Sequence, residues 1–240
     1  MDLSDFTYTG IRAYRAGDYS RTVHEYLHNR TGMEFVLIPG GEFWQDCESP
    51  IQAVFRTQVK PFLMAKYPCT QGQWGHLMKY NPGFPRENDK PVNRVCWYEA
   101  MDFCRLAGLR LPVSAEWEYA CRAGSSTRYY FGSDERELNK YAWHRGNTRE
   151  LGHVGWKRPN AFGLCDMLGN VWEWCQDKME HLGNVVNDLF LSPRIVNYRK
   201  LHGGSYSISP RLLNCAAVRA GADLLRDQEI GFRCACSVEM

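Results

Sequence analysis

The sequence lacks any long hydrophobic run and any strong excess of charge. No apolar stretch approaches the roughly 20 residues that a membrane-spanning helix needs, so direct insertion into a bilayer is not expected. The formal net charge is only +2, a field too weak to recruit nucleic acid or an anionic membrane. The first twenty residues also lack the apolar segment of a signal peptide. A cytoplasmic location is therefore expected, and surface display through a partner protein stays open.

Several signatures of enzymes and metal sites are absent as well. The chain has ten cysteines but no Cys-x-x-Cys pair, so a structural zinc cluster is not expected. There is no nucleophile elbow, P-loop or dinucleotide-binding fingerprint. HEYLH does fit the pattern H-E-x-x-H, which on a helix would place His24 and His28 on one face beside Glu25. A zinc protease needs a third ligand, and none is evident.

Hydrophobic spacing and breaker residues indicate helices and strands in the first half of the chain. Residues 17–29 predict a short helix that begins at Asp18 or Ser20, which makes residues 1–32 an N-terminal extension to a domain over 33–240. Five further elements are predicted: a strand at 35–43, a strand and a Thr70-capped helix within 59–78, a helix at 97–108 ended by Gly108, and a helix at 114–124 with Ser114 as its N-cap.

Beyond residue 125 the helical periodicity disappears. Glycine, proline, asparagine and aromatic residues punctuate short segments, a pattern typical of long, individually stabilised loops. No internal repeat or low-complexity linker interrupts the chain. The sequence therefore predicts one loop-rich α+β domain.

Five motifs in fixed order resemble one known family. They are FVLIPGGEF (35–43), PVNRVCWYEAMDFCRLAGLRLPVSAEWEYACRAG (91–124), NAFGLCDMLGNVWEWCQD (160–177), HGGSY (202–206) and IGFRC (230–234). Together they closely resemble the formylglycine-generating enzyme, or sulfatase-modifying factor, family over roughly residues 33–236. The resemblance implies a C-type-lectin-like fold, with two main helices and small antiparallel sheets.

The resemblance also assigns roles to the cysteines. Family enzymes oxidise a substrate cysteine by means of two cysteines that follow the GGSY motif and bind copper(I), a soft ion that prefers thiolate. This chain has no cysteine between Tyr206 and Cys215, so it is not expected to be such an oxidase. The resemblance pairs Cys104 with Cys234 and Cys121 with Cys215, as framework contacts.

Calcium is the other metal that the resemblance implies. Family members often bind calcium near the GNVWEW turn, and Asn170 and Glu173 offer hard oxygen ligands there. The other interpretation of the same residues is that Asn170 caps a turn while Glu173 is exposed. No other cofactor is expected.

A second branch of the family binds ligands. The variable proteins of diversity-generating retroelements carry a variable region between a GGS(W/Y) start and an IGFR end, here 203–234. Adenine-directed mutagenesis of asparagine codons can produce the residue types found here. The candidate variable, ligand-binding residues are Ser207, Ile208, Ser209, Leu212, Leu213, Asn214, Val218, Ala220, Gly221, Leu224 and Leu225.

Three functions follow from these motifs. The first is a non-enzymatic binding protein with a protein ligand. On this hypothesis all four leucines of 207–225 are exposed. The fold is then held by other residues, namely the framework glycines and the aromatic residues 143, 156, 172 and 174. The second is a copper-dependent formylglycine-generating oxidase or a related oxidative enzyme. The third is a degenerate, non-catalytic interaction or regulatory domain of the same family.

Overall fold

The largest sheet collects strands from both ends of the chain. The computed structural model describes residues 3–46, 54–179 and 197–238. Five antiparallel strands form this sheet in the order β1-β2-β3-β6-β11. They are β1 (Phe6–Ala16), β2 (Tyr19–His28), β3 (Glu34–Ile38), β6 (Phe62–Ala65) and β11 (Ala235–Ser237).

The helix predicted at residues 17–29 is wrong, because this segment is strand β2. Polar and capping residues suggested a helix start, but Thr22 and Val23 are β-branched and favour a pleated strand. Val23 and Glu25 face inward, while His24 between them is exposed. Residues 6–28 thus form a hairpin within the main sheet.

Two smaller sheets complete the β structure. The hairpin β4 (Gly41–Asp46) and β5 (Val54–Val59) stands alone. A four-stranded sheet has the order β10-β7-β8-β9. Its strands are β7 (Trp172–Lys178), β8 (Tyr198–His202), β9 (Val218–Ala222) and β10 (Ile230–Gly231). This second sheet carries the GNVWEW, HGGSY and IGFRC motifs and therefore positions the candidate site.

Three α-helices pack on these sheets: α1 (Gln71–Met78), α2 (Trp97–Ala107) and α3 (Ser114–Arg122). Thr70 caps α1 as predicted, since its hydroxyl accepts from the Gln73 amide and the Gln73 side chain accepts from the Thr70 amide. Gly108 ends α2 with φ +74°. Helix α3 begins at Ser114, but its N-cap is Val113 rather than the predicted Ser114, and the Val113 amide donates to Glu116. The predicted α+β class is confirmed.

Two buried clusters form the core, and they meet near the second sheet. One surrounds Trp117 and Tyr130, and the other contains Trp74, Phe103 and Trp174. Of the aromatic residues predicted to hold the fold, Trp172 and Trp174 are buried, whereas Trp156 is 70% exposed and stacks on the His153 ring. The structural role expected for Trp156 is wrong. In the part of the chain that the structure describes, no helix has the length and apolar character needed to cross a membrane.

Candidate ligand-binding surface

The HGGSY motif forms a tight turn at the end of β8. Gly203 and Gly204 have φ of +94° and +84°, a region that side chains other than glycine rarely adopt. A Cβ on Gly204 would lie 2.3 Å from Leu213 Cδ2, and one on Gly203 would lie 3.0 Å from Trp117 Cζ2. The turn is therefore pressed against Leu213 on one side and against helix α3 on the other.

A buried ion pair fixes the other end of the segment. Arg233 and Glu173 are both fully buried, and the guanidinium makes two bonds of 2.7 Å to the carboxylate. The guanidinium also donates to the carbonyls of Ala65 and Cys165, and Trp117 Nε1 donates to Glu173 at 2.7 Å. Bidentate pairing with further hydrogen bonds is the geometry in which a buried pair is tolerated. The pair joins the GNVWEW strand to the IGFRC motif.

The same contacts do not fit the calcium site expected at Asn170 and Glu173. Arg233 already neutralises the Glu173 carboxylate, which is buried rather than exposed. The Asn170 side chain bonds to both backbone groups of Gly152 and to Asp166. Asn170 has φ +61° and shapes a turn, so its structural interpretation fits better and a calcium ion finds no free pair of ligands here.

The structure also does not support a copper site after HGGSY or a zinc site at HEYLH. Residues 207–214 contain no sulfur ligand, and His24 and His28 lie on strand β2 rather than on one face of a helix. His24 is exposed beside Tyr8, whereas His28 is buried and bonds to Thr31. Among residues 3–46, 54–179 and 197–238, no three potential His, Cys, Asp or Glu ligands converge on a metal position.

The predicted variable residues fall into exposed, half-buried and buried classes. Leu212, Leu224 and Leu225 are 64%, 62% and 38% exposed. The half-buried positions are Ser207, Ile208, Ser209, Asn214, Val218 and Ala220. Leu213 and Gly221 are buried. Exposure was therefore predicted correctly for three of the four leucines and wrongly for Leu213.

Leu213 and Gly221 are buried for different reasons. Leu213 is the residue against which the Gly203-Gly204 turn packs. A Cβ on Gly221 would lie 2.6 Å from Leu201 and 2.7 Å from Trp174, so β9 lies too close to the core for any side chain. Both positions belong to the framework rather than to a displayed surface.

The exposed leucines sit on two loops whose backbones are fastened. Leu212 ends a 3₁₀ turn at Pro210–Leu212, and Arg128 donates to the carbonyls of Arg211 and Leu213 on either side of it. Leu224 and Leu225 follow Asp223, whose carboxylate accepts from the Tyr98 hydroxyl at 2.9 Å and whose backbone bonds to the Trp97 amide. Because Leu213 is buried and the other three leucines lie on two separate loops, the four leucines do not form one apolar patch.

A small cleft of about 300 Å³ opens beside the start of the segment. Tyr206 and Ser207 form one wall, and Arg145, Thr148 and Arg149 form the other. The Arg145 amide donates to the Ile208 carbonyl at 3.1 Å, which holds the two segments together. Sequence reasoning missed the two arginines, because no motif connects residues 145–149 with a turn some sixty positions later.

The cysteines are framework residues. The Sγ atoms of Cys104 and Cys234 lie 3.8 Å apart, and burial together with its neighbour Cys215 raises the pKa of Cys121 well above the ordinary value. Of the nine cysteines in the described ranges, all are buried except Cys236, which is half-buried. Burial also raises the pKa of Cys234. Such thiols stay protonated at neutral pH and are poor ligands for a soft metal.

Comparisons with known proteins show the family to which the chain is similar. A family model described as "Sulfatase-modifying factor enzyme 1-like domain" matches residues 21–238. The formylglycine-generating enzyme of Streptomyces coelicolor is 34% identical over 168 residues, which cover 62% of this chain and 54% of that enzyme. The chain thus spans about half the length of that relative, and likewise of the mouse enzyme.

Two solved structures have the same fold. Treponema denticola variable protein 1 superposes with a TM-score of 0.74 at 23% identity, covering 94% of this chain and 98% of that one. PvdO from Pseudomonas aeruginosa superposes with a TM-score of 0.75 at 22% identity, covering 94% of this chain and 100% of that one. At these identities the likeness concerns the fold alone.

Proposed function

The chain belongs to the sulfatase-modifying factor enzyme 1-like family, and from that premise we propose that it is a non-enzymatic ligand-binding protein. It presents side chains of residues 207–225 on a C-type-lectin-like scaffold, as the variable proteins of diversity-generating retroelements do. The observation that carries the proposal is the contrast between fastened loop backbones and exposed apolar side chains at Leu212, Leu224 and Leu225.

The apolar character of these side chains favours a protein ligand. Exposed leucines lose water-accessible apolar surface when a partner covers them, and interface centres are depleted in charged residues. Because their backbones are already held by Arg128 and by the start of helix α2, little ordering entropy opposes binding.

A binding selection tests this proposal. Peptides are selected from a phage-displayed library on the immobilised protein, and their affinity is compared between wild type and a Leu212→Ser/Leu224→Ser variant. The matched control is Ile11→Ser/Leu27→Ser, which removes two exposed apolar side chains of the β1-β2 hairpin. We expect the first variant to lose at least tenfold in affinity and the control to bind as wild type. Equal losses in both variants would contradict the proposal.

The oxidase alternative is tested by chemistry. The relatives named above are formylglycine-generating enzymes, but this chain lacks a cysteine between Tyr206 and Cys215. We expect no conversion of a Cys-x-Pro-x-Arg peptide to its aldehyde, with or without copper, by mass spectrometry. Aldehyde formation that depends on the protein would establish the enzyme instead.

The neighbouring DNA separates the variable protein from a degenerate interaction domain. A retroelement origin requires a reverse transcriptase gene and a near-duplicate template repeat close to this gene. If neither is present, the exposed loops belong to an interaction domain without a history of directed variation.

A further inference from the structure

A large cleft in the described structure lies away from most of the candidate variable residues. It has a volume of about 1010 Å³ and opens between hairpin β4-β5 and the end of helix α3. Aromatic walls come from Phe43, Trp44, Tyr119 and Phe162. Asn214 alone among the candidate variable residues contributes to the lining. The volume is at the upper end of the range that encloses small-molecule ligands.

Two arginines give the cleft an excess of positive charge. Arg122 is paired with the buried Glu118, and Glu42 is paired with Arg56. Arg21 and Arg128 also line the cleft, and within residues 3–46, 54–179 and 197–238 neither has a carboxylate at ion-pair distance.

The Arg21 guanidinium lies close to Gly124 at the edge of the cleft. A Cβ built on Gly124 would lie 2.7 Å from Arg21 Nη2, and Gly124 has φ +95°, a conformation that favours glycine. Tyr119 lines the same cleft as Arg21, and burial raises the pKa of Tyr119 while the charge of Arg21 opposes that rise.

The end of helix α3 does not cancel this charge. The last carbonyls of a helix carry partial negative charge that repels anions. Here they are engaged, because Asn160 donates to the carbonyls of Ala120 and Cys121, at 2.7 and 3.0 Å. The carbonyls of Tyr119 and Arg122 accept from the amides of Ala123 and Ser125. The cleft thus combines apolar walls with uncompensated guanidinium groups.

We propose that this cleft is a second binding site, which takes a small ligand with a flat apolar body and a phosphate or carboxylate group. The aromatic walls would cover the body, and Arg21 would bind the anionic group. Arg128 would add its charge and its Nη1 donor, since its Nε and Nη2 atoms already donate to the carbonyls of Leu213 and Arg211. Guanidinium groups suit both phosphate and carboxylate oxygens because their donors form a fixed fork. Apart from Asn214, the lining comes from outside 207–225, and the proposal does not rest on the binding function proposed for that segment.

The first experiment uses three probes with the whole protein. Binding of 1-naphthyl phosphate, 1-naphthol and inorganic phosphate is measured by isothermal titration calorimetry. We expect 1-naphthyl phosphate to bind at least tenfold more tightly than either of the other two, which carry only one half of the proposed chemistry. Binding of 1-naphthol or phosphate as tight as that of the ester, or no binding of the ester at millimolar concentration, would overturn the proposal.

Three variants locate the site. Arg21→Gln should weaken 1-naphthyl phosphate about tenfold or more, since a hydrogen bond to a charged group is lost. Arg15→Gln is the matched control, because Arg15 lies on the same hairpin, does not line the cleft and donates to the Gly17 carbonyl. Ser126→Trp fills the cleft from an exposed position and should abolish binding. Unchanged affinity in Arg21→Gln or in Ser126→Trp would contradict the assignment, and so would a loss in Arg15→Gln equal to that in Arg21→Gln.

Discussion

Leu213 and Leu224 have the same side chain in one loop-rich segment, yet they should respond to substitution in opposite ways. Leu213 is fully buried against the Gly203-Gly204 turn, and Leu224 is 62% exposed. Replacing a buried leucine by a small residue costs about 2–5 kcal/mol, and most exposed positions change stability by less than about 0.5 kcal/mol. We expect Leu213→Ser to fall in the first class and Leu224→Ser in the second.

Urea unfolding of the two variants and wild type measures this difference. Leu212→Ser and Leu225→Ser extend the series, and both should resemble Leu224→Ser, because their side chains are also exposed. If Leu213→Ser were as stable as Leu224→Ser, the packing of the glycine turn against Leu213 would be incorrect. A large loss in both Leu212→Ser and Leu224→Ser would exclude the displayed-surface proposal.

The Glu173–Arg233 pair is the second prediction at the residue scale. Glu173→Gln keeps the shape of the side chain but leaves Arg233 as a buried charge without its partner. Breaking a buried pair in this way costs about 3–5 kcal/mol. Glu137→Gln makes the same chemical change in the exposed pair with Lys140, where little change is expected. Thermal melts of both variants test the contrast, and equal melting temperatures would contradict it.

At the scale of elements, helix α1 depends on its first turn. It is only eight residues long, and such short helices are marginal without capping or packing. Thr70→Ala removes the hydroxyl that accepts from the Gln73 amide, with an expected loss of about 1 kcal/mol. Ser133→Ala, at an exposed loop position, serves as the control. Chemical unfolding would disprove the capping role if the two variants were equally stable.

Elements whose ends are set by local chemistry were predictable from the sequence. Thr70 and Gly108 mark helix boundaries by side-chain capping and by a left-handed backbone, so both positions were identified correctly. Strand β2 was not, because its polar side chains suit either structure and its inward face is defined only by pairing with β1 and β3. The predicted N-cap of α3 was wrong by one residue, because the Val113 side chain has no capping group and the Glu116 carboxylate accepts from the Val113 amide instead.

The candidate site was predictable in its outline but not in its details. The motifs located the framework, whereas burial within 207–225 depends on contacts from distant residues. Gly221 is buried because Trp174 and Leu201 approach it, and Leu213 because a glycine turn does. The charge of Glu173 is matched by Arg233, sixty residues later. No local pattern encodes such contacts, and the large cleft has no sequence signature at all.

At the scale of the whole molecule, stability should depend on pH through His202. Burial lowers the pKa of this side chain to about 3, and the ring stacks on Trp117 and bonds to Ser114. The unfolded chain takes up a proton near pH 6.5 that the folded chain does not. The contribution of His202 is therefore full above pH 6.5 and is lost as the pH falls toward 3.

One buried carboxyl acts in the opposite sense. Burial raises the pKa of Asp166 to about 6, so its contribution to stability falls as the pH rises from about 4 to 6.

Replacing His202 by Asn removes the group whose pKa burial lowers. A His202→Asn variant should lose less stability than wild type as the pH falls from 6.5 to 3, measured by urea unfolding. A ring titration near pH 6.5, followed by NMR in the folded protein, would contradict the assignment.

The order of strands in the main sheet bears on how the chain folds during synthesis. Strand β11 pairs with β6, some 170 positions earlier, and the amides of Ala65 and Cys69 bond to the carbonyls of Cys234 and Phe232. Contacts between such distant residues close slowly. A ribosome-bound chain that ends before residue 232 leaves one edge of β6 and the carboxylate of Glu173 without their partners. The main sheet and the buried ion pair can therefore be completed only after residues 232–237 have emerged, and until then the unpaired edge of β6 is open to chaperones and to misassembly.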